Sequence, residues 1–225
     1  MNHDVVRQAP LFAALDDDAV NSLLARMQRQ QLARAEVLFA EGDAGHRLFV
    51  ILEGKLKLGR TSSDGRENLL AILGPGEMFG ELSLFDPRPR TSTATAVVES
   101  TLIALSHEEL EPWLLQHPEV ATQMLGALAR RLRRTNDSLS DLVFSDVPGR
   151  VAKALLDLAN RFGHQSDAGL LVDHGLTQEE LAQLVGASRE TVNKALADFA
   201  ARGWLRLEAK AVVLLDVERL RHRAR

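Results

Sequence analysis

Thr177-Gln178-Glu179-Glu180-Leu181-Ala182-Gln183-Leu184-Val185-Gly186-Ala187-Ser188-Arg189-Glu190-Thr191-Val192-Asn193-Lys194-Ala195-Leu196 is the stretch on which the fold of this 225-residue chain turns. Thr177 and Glu180 stand at the spacing of a capping box, Gly186 supplies a tight turn, and Ser188 is placed to cap a second helix. The stretch therefore predicts two short helices meeting at a glycine. Val192, Ala195, Leu196 and Phe199 give the second helix its buried face, which leaves Arg189, Glu190, Asn193 and Lys194 on the other side near its N-terminus. Downstream, Gly203-Trp204-Leu205-Arg206-Leu207 followed by Val212 to Leu215 reads as a hairpin, completing a winged helix-turn-helix. An arginine or lysine can donate to guanine O6 and N7, and a glutamate can accept from cytosine N4. The exposed group, with Ser188 at its head, thus has the chemistry for reading G·C pairs in a major groove. A solvated charged face is the plainer explanation of charges on any single helix. The two caps, the glycine turn and the hairpin together favour the winged form.

Working upstream, a helix over Val151 to Phe162 ends at Gly163, and a loop over residues 164–169 precedes a short strand at Leu170 to Val172. Asp146-Val147-Pro148-Gly149 carries proline and glycine, both of which resist helix continuation, and marks a hinge. Before it, Pro118 opens a long helix whose Leu125, Leu128, Leu132, Thr135, Leu139 and Leu142 are spaced 3, 4, 3, 4, 3. That is a narrow heptad seam suited to a parallel two-helix dimer, with packing on its own domain as the alternative. Thr135 is polar within the seam, and such positions fix register or meet a ligand. The predicted division is 1–117, a β-roll with flanking helices; 118–145, the long helix; and 146–225, the winged helix-turn-helix.

The N-terminal region opens on an amphipathic helix, with Asp16, Asp17 and Asp18 ahead of Val20, Leu23, Leu24 and Met27. From Leu32 to Leu105, short apolar or alternating runs are broken by turn signals at Glu41-Gly42-Asp43, Glu53-Gly54-Lys55, Ser63-Asp64-Gly65-Arg66 and Gly74-Pro75-Gly76. This punctuation predicts a compact antiparallel roll, jelly-roll-like, within an α+β chain. A short helix over Glu108 to His117 follows. Inside the roll lies Phe79-Gly80-Glu81-Leu82-Ser83-Leu84-Phe85-Asp86-Pro87-Arg88-Pro89-Arg90-Thr91-Ser92. Glycine lets backbone approach a ligand, a carboxylate accepts from sugar hydroxyls, and an arginine followed by hydroxyl side chains suits a phosphate. The plainer reading is a strand-turn-strand with surface charges.

Composition narrows the classes. No cysteine is present, which removes disulfides, iron-sulfur clusters and thiol nucleophiles and fits a reducing compartment, the cytoplasm. No run of residues reaches membrane-span length or makes a signal-peptide core. Net charge is -4, yet residues 146–225 hold 12 basic against 11 acidic side chains, so the acidic excess lies upstream. The seven histidines, at 3, 46, 107, 117, 164, 174 and 222, lack metal-ligand spacing. Neither a nucleophile-base pattern nor a Walker loop nor GxGxxG occurs, and an enzyme is not expected.

Four stretches carry a resemblance: Gly80-Glu81-Leu82-Ser83-Leu84-Phe85, Arg90-Thr91, Ala129-Arg130-Arg131-Leu132-Arg133-Arg134-Thr135-Asn136, and Val185-Gly186-Ala187-Ser188-Arg189-Glu190-Thr191-Val192. Together and in this order they make the chain similar to the cyclic-AMP receptor protein/FNR family of bacterial regulators, especially its actinobacterial cyclic-AMP-receptor-like members. The resemblance covers nearly the whole chain. It implies an allosteric 3′,5′-cyclic AMP ligand, double-stranded DNA, a homodimer on palindromic sites, and RNA polymerase as a partner. It also implies roles by position. Glu81 accepts from the ribose 2′-hydroxyl, Gly80 and Leu82 offer backbone contacts with Ser83 beside them, and Arg90 and Thr91 hold the cyclic phosphate. Thr135 meets the adenine amine, and Asn136 reaches across from the partner helix where the best-studied pattern has serine. Ser188, Arg189, Glu190, Asn193 and Lys194 belong to the DNA-reading helix, with Lys194 in place of an expected arginine. The alternatives are the same DNA-binding regulator without a nucleotide or with another cyclic nucleotide and, more remotely, a cupin-like β-roll enzyme.

Overall fold

The computed structural model describes residues 3–62, 65, 67–86 and 88–224. They fall into two compact units, Met1–Arg60 with Leu70–Arg133, and Thr61–Leu69 with Arg134–Arg225.

The first unit begins with α1 (His3–Gln8) and α2 (Asp17–Leu24), the latter capped by Asp16, whose side chain accepts from the Ala19 amide at 2.8 Å. The strands are β1 (Gln28–Leu32), β2 (Val37–Phe39), β3 (Arg47–Glu53), β4 (Leu56–Thr61), β5 (Glu67–Leu73) and β6 (Met78–Phe79). A one-turn helix α3 (Leu82–Phe85) precedes β7 (Thr93–Ala96) and β8 (Ser100–Ser106). They make two four-stranded sheets, ordered β1-β8-β3-β6 and β2-β7-β4-β5. The antiparallel pairing of β3 with β8, Leu48 opposite Leu105 and Val50 opposite Ile103, lies at the middle of the first sheet.

Arg47-Leu48-Phe49-Val50-Ile51-Leu52-Glu53 is apolar throughout its interior because both faces of that sheet are covered. Leu48, Val50 and Leu52 point into a core with Val6, Phe12, Leu23, Trp113, Val120 and Met124 from the helices, whereas Phe49 and Ile51 point into a core with Leu56, Leu58, Ala94 and Ala96 of the second sheet. The period of two thus feeds two cores from one strand. Helix α4 (His107–Gln116) leads into α5 (Pro118–Phe144), whose first turns contribute Val120 and Met124 to the helical core.

In the second unit, α6 (Val147–Phe162), β9 (Gly163–Ser166), β10 (Gly169–Val172), α7 (Gln178–Val185), α8 (Arg189–Ala201), β11 (Leu205–Glu208), β12 (Ala211–Leu214) and α9 (Val217–Arg223) follow, with one sheet ordered β11-β12-β10-β9. Val151, Leu155, Leu181, Val192, Leu196, Phe199, Val212 and Leu220 are buried there.

The elements depart from the sequence reading in places. Helix α6 starts at Val147 rather than Val151: Asp146 is its N-cap, taking the Gly149 amide at 2.9 Å, and Pro148 sits in the first turn, where its missing donor costs nothing. The expected break after the long helix falls at Ser145 and Asp146, and residues 147–149 already belong to α6. Gly163, expected to end the helix, and residues 164–166, expected as loop, form β9 in a hairpin with β10. Met27 lies beyond α2, and α1 and α9 carry no signal that the sequence reading used. The turn expected at Ser63 to Arg66 lies, but for Gly65, outside the described residues, as does Pro87.

Candidate functional site

The roll gathers most of the expected nucleotide residues in one pocket, whose lining includes Phe79, Gly80, Leu82, Ser83, Arg90, Thr91, Ser92 and Arg131. Strand β6 delivers Gly80 at φ +81, a conformation that favours glycine, and a Cβ there would stand 2.9 Å from Arg90 Nη1 and 3.1 Å from the Arg47 carbonyl oxygen. Those approaches have a purpose. Arg90 donates from Nη1 to the Gly80 carbonyl at 2.8 Å and from Nη2 to the Arg47 carbonyl at 2.7 Å, and its guanidinium lies 4.4 Å above the Phe39 ring. Among the described residues the head is fixed by backbone and aromatic contacts and by no carboxylate bond. Burial lowers its pKa from the ordinary arginine value, while the charges of Glu81 and Asp43 oppose that shift. Arg88, by contrast, is exposed and pairs with Asp86 at 3.0 Å.

Glu81 is 2% exposed; its Oε1 accepts from Arg131 Nη1 of α5 at 2.9 Å. Glu81 Oε2 and Arg90 Nε are buried without a hydrogen-bond partner among the described residues. Isolated buried polar atoms cost free energy, and such exceptions call for an explanation. Here one acceptor and one cationic donor are left over, Arg90 lining the pocket and Glu81 standing between its lining residues Gly80 and Leu82. That is the complement of a molecule with a hydroxyl donor and an anionic oxygen.

Of the other expected contacts, Ser83 is buried, Leu82 is 44% exposed, and Thr91 is exposed beside the buried Ser92. Thr135 and Asn136 belong to the second unit and stand exposed on α5. Sequence reasoning gave no role to Arg131, Phe39 or the Arg47 carbonyl. Arg131 lay inside a quoted stretch, but nothing in its spacing ties it to a carboxylate fifty positions upstream.

In the second unit the helix-turn-helix is built as its residues dictate. Thr177 and Glu180 complete the capping box, with Thr177 Oγ1 accepting from the Glu180 amide at 3.1 Å and Glu180 Oε2 accepting from the Thr177 amide at 2.8 Å. Gly186 closes α7 at φ 69, in the left-handed region. Ser188 Oγ accepts from the Thr191 amide at 3.2 Å, so its hydroxyl is engaged as a cap. Arg189, Glu190 and Lys194 are exposed, with Lys194 Nζ donating to Glu190 Oε1 at 2.7 Å. Asn193 is half-buried and its Oδ1 is buried without a hydrogen-bond partner among the described residues, which turns this end of the amide inward. Among the described residues no group of histidine and carboxylate side chains could hold a metal ion, and no helix is long and apolar enough to cross a membrane.

Residues 29–117 match the family described as the cyclic nucleotide-binding domain, and residues 149–223 match the Crp-like helix-turn-helix domain. The chain is 55% identical over 222 residues to the CRP-like cAMP-activated global transcriptional regulator of Mycobacterium tuberculosis, covering 99% of each. It is 38% identical over 216 residues to the cyclic AMP receptor protein of Thermus thermophilus, covering 94% of this chain and 97% of that one. Among solved structures, it resembles the c-di-GMP-responsive global regulator of Xanthomonas campestris at 28% identity and a TM-score of 0.77, over 88% of this chain and 99% of that one.

Proposed function

The chain belongs to the CRP-like family of cyclic-nucleotide-binding, helix-turn-helix transcription regulators, and from that membership we infer that it is a cyclic-AMP-activated, sequence-specific DNA-binding regulator. The observation that carries the ligand half of this reading is the pair of orphaned buried atoms, Arg90 Nε on a pocket-lining residue and Glu81 Oε2 on the residue between lining residues Gly80 and Leu82. Cyclic AMP supplies a ribose 2′-hydroxyl and a singly charged cyclic phosphodiester. Glu81 accepts from the hydroxyl with the oxygen that Arg131 does not hold, and Arg90 presents its Nε edge to the anion while Nη1 and Nη2 stay on the backbone. Gly80, Leu82 and Ser83 line the sugar and phosphate, with Thr91 as a further hydroxyl, and Thr135 with the partner subunit's Asn136 receives the adenine edge.

The division 1–117, 118–145 and 146–225 gives each segment a leading duty, ligand, dimer and DNA in turn, with Arg131, Thr135 and Asn136 of the long helix also serving the ligand. Leu125, Leu132, Leu139 and Leu142 are at least half exposed along α5, a seam that a second copy of the helix would cover. A two-fold dimer then places both α8 helices in successive major grooves of a palindrome with half-sites about 10 bp apart or a multiple of it. Arg189 takes guanine and Glu190 cytosine, once Glu190 exchanges its Lys194 partner for a base. The cytoplasm and RNA polymerase complete the reading as location and further partner.

Titration calorimetry with cyclic AMP, cyclic GMP and cyclic di-GMP, paired with operator binding with and without each nucleotide, tests it. The expected result is tightest binding of cyclic AMP, with operator affinity raised by it. Preference for cyclic di-GMP, to which the Xanthomonas regulator responds, would replace the ligand and keep the DNA-binding role.

A further inference from the structure

The C-terminal helix has no duty in the reading above, yet its last turn lies on the joint between α5 and α6. Asp216 caps α9 by accepting from the Arg219 amide at 2.9 Å, and Leu220 is completely buried, so the short helix is anchored at its start and middle. At its end Arg223 donates from Nη2 to Asp146 Oδ2 at 2.5 Å. The other oxygen of the same carboxylate caps α6 through the Gly149 amide at 2.9 Å. A Cβ at Gly149 would lie 3.0 Å from Asp146 Oδ1 and 3.3 Å from both the Arg223 carbonyl oxygen and Nη1, so α9 rests against the first turn of α6 with no room to spare.

That turn is also tied forward and back. Arg150 donates to the carbonyls of Ser145 at 2.7 Å, Val185 at 3.1 Å and Gly186 at 3.3 Å, the last two at the turn that orients α8. Lys153 pairs with Asp141 of α5 at 2.5 Å. The cap carboxylate is thus the point where the strap from α9 meets the frame that carries the recognition helix. Its acidity agrees with the geometry: the Arg223 hydrogen bond, then the Gly149 amide, hold the Asp146 carboxyl below its ordinary value.

We propose that α9 is a strap and Arg223 a positioning residue, clasping the α6 cap so that movement of α5 reaches the DNA-reading helix instead of being lost at the joint. The proposal rests on the nucleotide-activated reading above and adds to it a residue that touches neither nucleotide nor DNA.

The experiment uses the full chain and three variants, Arg223→Ala, Arg223→Lys and, as control, Arg221→Ala, whose arginine pairs with Glu218 within α9. Operator affinity by fluorescence anisotropy is read with and without saturating cyclic AMP, and amide exchange is followed at Gly149 to Val151 without nucleotide. Arg223→Ala is expected to speed exchange at these amides and to shrink the nucleotide-dependent gain in operator affinity by about 2- to 30-fold, the span of mutations that modulate coupling. Cyclic AMP affinity without DNA should stay unchanged, lysine should restore most of the gain, and Arg221→Ala should leave it intact. An unaltered gain in Arg223→Ala, no rescue by lysine, or an equal loss in Arg221→Ala overturns the proposal. A wild-type chain whose operator binding ignores every nucleotide sinks the activated reading instead, and unchanged exchange at Gly149 to Val151 then removes the strap as well.

Discussion

Replacing Glu81 by glutamine keeps the side chain's shape and removes its charge, which separates the carboxylate's service to the protein from its service to a ligand. In the folded chain Glu81 is 2% exposed and makes one ion pair at 2.9 Å with Arg131, whose side chain is 41% exposed, while Oε2 has no partner. Desolvation of a buried carboxylate offsets most of what one pair returns, so a neutral isostere in such a site is close to neutral or stabilising. Arg131, being partly exposed, loses little when its partner becomes an amide. The unliganded variant should therefore melt no more than a few degrees from the parent. The ligand loses more. A hydrogen bond to a charged group contributes about 1.5–3 kcal/mol, which converts to roughly 10- to 150-fold in affinity. Calorimetry should show cyclic AMP binding weakened by that factor, with the thermal midpoint held. Unchanged affinity would refute the assignment of Oε2 to the sugar. A large fall in midpoint with affinity intact would show that the carboxylate serves only the fold.

Arg90→Leu should weaken cyclic AMP binding by about 2–5 kcal/mol, since one side of a buried charge pair is removed, and should also lower the melting point because the Gly80 and Arg47 carbonyls lose their donor; calorimetry and a thermal melt read the two effects. Arg189→Ala should cost about 1–3 kcal/mol on the operator and relax preference at one position per half-site, whereas equal loss on random DNA would assign it to phosphate. Thr135→Val should leave the unliganded dimer melting no lower while weakening cyclic AMP binding by roughly 5- to 150-fold and blurring discrimination against cyclic GMP; full affinity and selectivity would make it a seam residue only. Asp146 has its pKa lowered on folding, so the unfolded chain takes up this proton first as pH falls; the stabilisation is whole above about pH 5 and is lost progressively in more acid solution. Asp146→Asn keeps a good cap, and so should lower the midpoint slightly at neutral pH and flatten its fall below about pH 5, measured as melting temperature against pH.

What the sequence made legible is what periodicity and capping encode. The helix-turn-helix was readable because Thr177, Glu180, Gly186 and Ser188 act within four residues of their partners, and the structure closes each of those bonds. The roll was readable as alternation and punctuation, though not the strand pairing that sends Leu48 and Phe49 into different cores. Pro148 marks the break after the long helix, but the start of the next helix was placed four residues late, because proline is a breaker inside a helix and a good residue in its first turn, and only the position of the cap decides which. Glu81 with Arg131, and Asp146 with Arg223, join residues 50 and 77 positions apart, and no local pattern encodes such partners. Asn193 stands among the expected base readers by its place on the helix, and the burial of its amide oxygen depends on how tightly α8 packs, which spacing does not report.

The long helix is where the two kinds of information meet. Its heptad leucines announced an apolar seam but left open whether the seam packs on its own domain or on another chain. Val120 and Met124, near the start of α5, are sealed into the core of the roll, and beyond them Leu125, Leu132, Leu139 and Leu142 remain at least half exposed. One helix therefore has two burial regimes, and the change comes within its first two turns. Up to Met124 the helix belongs to the roll. After it, the apolar positions follow the spacing of a two-stranded coil, and a second copy of the same helix is the surface that this spacing fits. Arg131 lies in that second stretch and holds Glu81, so the segment bearing the exposed heptad leucines also bears a wall of the pocket. A ligand that engages Glu81 thus acts beside the seam itself, which is the shortest route by which occupancy could bias a dimeric DNA reader.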